Sequence, residues 1–223
     1  MISRPEDVGL LPDGATEATK LPPPKPALRT KEFISNPNFW FLVAIIGLLF
    51  CIQSATLIHM VPQLTDRGID LVSASFIASS TAFFGIMGKL IYGALVDRWD
   101  VRNALWLGIA FQVAGQLFMS TDGYLGFLVG ASLFGFGMGG IVPMQGAVVG
   151  AAFGRESFGR VLGAMRPPMS VIHLIGVPFA GWMYDVTGSY DPAFQVFLGL
   201  YVVTAIVVAG LRVETRSKHR RPT

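Results

Sequence analysis

The chain has 223 residues, 52% of them hydrophobic and only 14% charged, with a net charge of +3. A soluble domain carries about 25% charged residues, so much of this surface has lipid rather than water as its solvent. The single cysteine, Cys51, lies inside an apolar run, which excludes a disulfide framework or a cysteine-based metal site within one chain.

Residues 1–35 lack apolar periodicity and contain Pro22, Pro23, Pro24 and Pro26. Such a segment cannot bury enough apolar area to offset its ordering entropy, and it reads as a disordered linker rather than a signal peptide. Asn36 and Pro37 then supply an N-cap and a first-turn proline for a helix.

Six apolar segments follow, at 38–63, 71–96, 103–120, 124–153, 157–184 and 192–212. Each is near or above the roughly 20 residues that cross a hydrocarbon core of about 30 Å. Short polar turns separate them, and their lack of period-2 alternation argues against a membrane barrel. The expected architecture is therefore an all-α membrane protein, with a six-helix domain over 36–212 and a basic tail over 213–223. The fourth segment holds Gly135, Gly137, Gly139, Gly140 and Pro143, which fits either a flexible gating helix or static close packing.

An even number of spans puts both termini on one side. That side collects Lys20, Lys25, Arg98, Arg102, Arg155, Arg160 and the cations of the tail, whereas Arg67 is the one cation opposite. By the positive-inside rule both termini face the cytoplasm, and a multi-pass protein of the plasma or inner cell membrane is expected.

Two cations fall within apolar spans. Lys89 lies eight residues before Asp97 and Arg166 seven past Gly159, so both stand about 10–12 Å in from the cytoplasmic end. Insertion of each costs about 3 kcal/mol, and such residues mark solute pathways. Two converging cations suit an anion, most simply a carboxylate; the other reading is that both side chains snorkel toward the headgroups. Pro167 and Pro168 follow Arg166, so a kinked or interrupted helix is expected beside the cation. His173, two turns from Arg166, suits proton coupling because imidazoles titrate near neutrality, or simple packing. Gln53 is a further candidate for lining the path or for joining helices.

The segment Gly93-Ala94-Leu95-Val96-Asp97-Arg98-Trp99-Asp100-Val101-Arg102 resembles the cytoplasmic loop signature of the major facilitator superfamily, Gly-x-x-x-Asp-Arg-x-Gly-Arg-Arg/Lys. Gly93, Asp97, Arg98 and Arg102 agree with it, while Asp100 and Val101 depart. Residues 4–14 are similar to the segment after helix 6 in that family, and residues 181–190 to the end of helix 11. The resemblance implies the C-terminal half of a twelve-helix secondary transporter, helices 7 to 12, of the monocarboxylate or oxalate–formate branch. In the oxalate–formate branch, basic residues on helices 8 and 11 are implicated in carboxylate binding, and Lys89 and Arg166 look similar to them. Asp97, Arg98 and Arg102 then either latch neighbouring helices or only set the topology.

The expected partners are the bilayer, a small anionic solute with H+ as a candidate coupling ion, and a second six-helix half or second copy. A truncated or non-transporting scaffold is the alternative. No His-Glu-x-x-His, Gly-x-Ser-x-Gly or Walker loop occurs; no enzyme activity, cofactor, metal or nucleic acid is expected.

Overall fold

The computed structural model describes residues 28–121, 123–154 and 156–211. Every regular element among them is a helix: α1 (Thr30–Ile34), α2 (Pro37–Asp66), α3 (Leu71–Val96), α4 (Val101–Met119), α5 (Tyr124–Gly139), α6 (Ile141–Phe153), α7 (Phe158–Thr187) and α8 (Asp191–Gly210). The expected tail at 213–223 and residues 1–27 of the expected linker lie outside the described residues. The rest of that linker includes α1, whose Phe33 is buried against Phe39, while Leu28 N–H donates to Ser157 Oγ at 2.9 Å.

Short polar side chains cap the starts of α2, α3 and α4. Asn36 accepts from Asn38 N–H at the start of α2, and Pro37 occupies the first turn. Asp70 accepts from the N–H groups of Val72 and Ser73 at 3.0 Å to start α3; the Ser73 side chain first, and then these backbone bonds, hold its carboxyl below the ordinary value. Asp100, a departure from the family's loop pattern, accepts from Arg102 N–H and caps α4. α7 ends on Gly188 at φ 71°, a left-handed conformation that favours glycine.

Five segments are long and apolar enough to cross a membrane: α2, α3, the 30 residues of α5 and α6 together, α7 and α8. α4, with Arg102, Asn103, Gln112 and Gln116 in its 19 residues, is not one of the five. The fourth apolar segment is divided at Gly140. Pro143 has no N–H to offer the carbonyl of Gly139, so the helical ladder loses a rung there.

Two packing groups make up the bundle. α2 lies along α7 and α8, and α5 lies between α3 and α4. At the α3–α5 contact the backbones touch. A Cβ at Gly88 would stand 2.1 Å from the Phe136 carbonyl oxygen, one at Gly135 2.2 Å from that of Thr81, and one at Gly139 2.1 Å from that of Gly85. α2 and α7 meet in the same way, with a Cβ at Gly176 2.3 Å from the Cys51 carbonyl oxygen; Cys51 is buried in this crossing. Burial is uneven as a result. In the most apolar stretch of each span, 61% of α2 is buried but only 28% of α3 and 17% of α7, so these two helices offer most surface to whatever surrounds the unit.

Gly139→Ala is expected to lower the thermal midpoint in detergent, at a cost of about 1–3 kcal/mol, because the atoms it meets are backbone and cannot turn aside. Gly150→Ala, with nothing within 4 Å of the new methyl, is expected to leave the midpoint unchanged or raise it slightly. Equal midpoints for the two variants would show that the seam is not tight.

Candidate functional site

α7 carries a polar stripe. Arg166, Ser170 and His173 recur at i, i+4 and i+7, on one face of the helix, and with Met169 and Phe50 of α2 they line a cavity of about 220 Å³. Despite Pro167 and Pro168, α7 is helical without interruption from Phe158 to Thr187. The two prolines withdraw donors from the carbonyls of Gly163 and Ala164, and a membrane helix tolerates this where neighbouring groups compensate. Of the kinked or interrupted helix expected beside Arg166, the interruption is absent.

Arg166 is exposed, His173 half-buried. The His173 ring lies 5.9 Å from that of Phe50, tilted by 36°, and Arg166 stands two turns earlier along α7. No carboxylate is among the lining residues. Chemically, the cavity offers a planar fork of donors suited to a carboxylate, an aromatic face and a thioether for an apolar body, and a hydroxyl and an imidazole for a second polar group.

The other residues singled out from sequence lie elsewhere. Lys89 is exposed on α3 and does not line the cavity; its backbone nitrogen presses on α5 at Gly139. Gln53 is buried between helices, where its Nε2 donates to Gln112 Oε1 at 3.1 Å, and the Tyr201 hydroxyl donates to the same oxygen at 3.2 Å. In the loop signature, Gly93 has open space around it, Asp97 closes α3, and Asp97 and Arg98 are both exposed. Arg102 reaches across to α8, where its Nη2 donates to the Ala209 carbonyl oxygen at 2.7 Å. A cation there opposes the negative end of the helix dipole and satisfies one of its last carbonyls.

Helical spacing from Arg166 reaches Met169 and Ser170, so these lining residues were within reach of the sequence. Phe50, 116 positions away on another helix, carried no such signal. Also unsignalled was the clamp at the other end of the bundle, where Arg67 pairs with Asp191 and lies 5.0 Å over the Phe127 ring, joining the ends of α2, α5 and α8.

Five helices long and apolar enough to cross a membrane, with polar contacts buried between them, define a multi-pass α-helical membrane protein. The chain matches the family model of the Major Facilitator Superfamily over residues 3–121 and 43–223, and it belongs to that superfamily. It is 28% identical over 185 residues to monocarboxylate transporter 12 of Mus musculus, covering 80% of this chain and 38% of the relative. With monocarboxylate transporter 13 of Rattus norvegicus the identity is 30% over 142 residues, 62% of this chain and 33% of the relative. The agnestins efflux protein AgnL12 of Paecilomyces divaricatus is 22% identical over 186 residues, 82% and 42% of the two chains. The chain thus spans about two fifths or less of the length of these curated relatives, and those from animals place the resemblance in the monocarboxylate transporter branch.

Replacing Arg102 by Ala is expected to release the end of α8. Amide hydrogen exchange over residues 206–211 should then quicken several-fold while α2 keeps its protection; unchanged exchange would show that the Arg102–Ala209 contact holds nothing.

Proposed function

We propose that this chain is the C-terminal six-helix half of a secondary transporter for a small organic anion, with α4 as its third membrane span. The cavity carries the proposal: a guanidinium, a hydroxyl and an imidazole on one face of α7, opposite Phe50, with no carboxylate among the lining residues. The Arg166 guanidinium takes the solute's carboxylate, and Ser170 and His173 receive its other polar group.

The exposed cations support a partner half. Lys89 and Arg166 lie within spans that are long and apolar enough for a membrane, yet both side chains are exposed on the six-helix unit. Facing hydrocarbon would cost each about 3 kcal/mol or more. A second six-helix unit, either a separate N-terminal half or another copy of this chain, covers α3 and α7 and encloses an aqueous path between the units. In that arrangement Lys89 faces the path and adds a second positive charge along it, while Gln53 serves the helix bundle rather than the solute. Rocking of one half against the other then exposes the site to alternate sides. Arg98, Arg102 and Arg160 gather at the end that carries the α3–α4 turn, which the positive-inside rule assigns to the cytoplasm together with both termini. The cell membrane is the proposed location.

Uptake of radiolabelled small carboxylates, in cells producing the chain with an N-terminal half or alone, tests this reading. Arg166→Gln should weaken apparent affinity by about thirtyfold or more, as loss of roughly 2 kcal/mol from a charged anchor implies, with membrane insertion unchanged. Transport by Arg166→Gln at the native rate and affinity would remove the cavity from the path. Lys89→Gln is expected to reduce uptake as well, and a variant that transports normally would place Lys89 outside the path.

A further inference from the structure

A row of polar side chains runs through the middle of the bundle, apart from the cavity. On α4, Gln112 and Gln116 stand one turn apart on one face, and on α2 so do Gln53 and Thr56. At the first level the side chains bond one another: Gln112 accepts from Gln53 and Tyr201, and its Nε2 donates to the Gly108 carbonyl at 3.2 Å. At the second level the pairing stops. Thr56 and Gln116 are each 1% exposed, yet Thr56 Oγ1 and Gln116 Oε1 have no hydrogen-bond partner.

Both orphan oxygens lie about one helical turn beyond the Gln53–Gln112 bond along their own helices. α2 and α4 run in the same direction, because each is joined to α3 by a tight turn, so Thr56 and Gln116 both lie on the same side of the Gln53–Gln112 bond. One turn further on, Met60 and Met119 belong to a single buried cluster with Phe127 and Phe134. The orphans are thus bracketed by a hydrogen bond below and an apolar plug above. An unpaired buried polar group costs about 1–3 kcal/mol, and proteins meet such a need with internal water, about one molecule per 27 residues.

We infer that a buried water molecule sits between α2 and α4 at this level, donating to Gln116 Oε1 and bonded to Thr56 Oγ1. It extends the Gln53–Gln112–Tyr201 network by one turn and gives the two helices an exchangeable link where their side chains do not bond directly. This inference is independent of what the cavity binds.

X-ray hydroxyl-radical footprinting of the full chain in detergent tests it, because radicals formed from a held water oxidise neighbouring side chains closed to bulk solvent. Met60 and Met119, 1% and 3% exposed, should convert to sulfoxide alongside Met169, which lines the cavity. In the Thr56→Val/Gln116→Leu variant, and in the same direction in near-isosteric Thr56→Val, their conversion should fall about fivefold or more as the water is lost, with Met169 unchanged. Intact Met60 and Met119 beside an oxidised Met169 in the native chain would overturn the inference. So would equal conversion in native and variant chains, since the radicals would then come from bulk solvent.

Discussion

The backbone of α5 lies so close to α3 that no side chain fits between them at Gly88, Gly135 or Gly139. In a bilayer there is little hydrophobic gain in bringing helices together, because lipid tails are as apolar as the side chains. What holds this bundle is therefore contact itself, made at backbone distance. The position of α3 follows from that seam, and with it the position of Lys89. The matching crossing of α2 and α7 at Cys51 and Gly176 sets Phe50 against His173 and so forms the cavity. A break at Gly140, caused by Pro143, lets the fourth span serve both regions: α5 belongs to the seam, and α6 contributes to the larger buried cluster.

Polar groups divide into two populations. One is interior and mostly paired: Gln53, Gln112 and Tyr201 bond one another across three helices. The other is exposed along the two least buried helices, where Lys89 and Arg166 stand. The two populations meet a lipid surround differently. The first keeps polar atoms out of contact with hydrocarbon. The second leaves the Lys89 and Arg166 side chains exposed along α3 and α7.

The clamps at the two ends of the bundle, Arg67 with Asp191 and Arg102 with the end of α8, both act on α8. α8 also holds Tyr201 in the central network, so it is fastened at both ends and in the middle. α7 is tied chiefly to α2, through the Gly176 crossing and the contact of His59 with the Val177 carbonyl, and it carries three internal prolines.

The sequence by itself determined the membrane-helix class, the positions of the long helices to within a few residues, and the caps at Asn36 and Pro37. Those follow from local quantities: apolar length, short polar side chains at helix starts, and glycine at turns. It also showed that Arg166 and His173 share a face, because helical period is local too. Only tertiary structure decided that Gln53 faces Gln112 and Tyr201, that Phe50 completes the cavity, and that Lys89 stands outside its lining. It likewise decided that Arg102 ends on α8 and that α7 continues through Pro167 and Pro168. The reason is the same in each case: these outcomes depend on which helices cross and at what height, and that depends on glycine contacts between segments far apart in the chain.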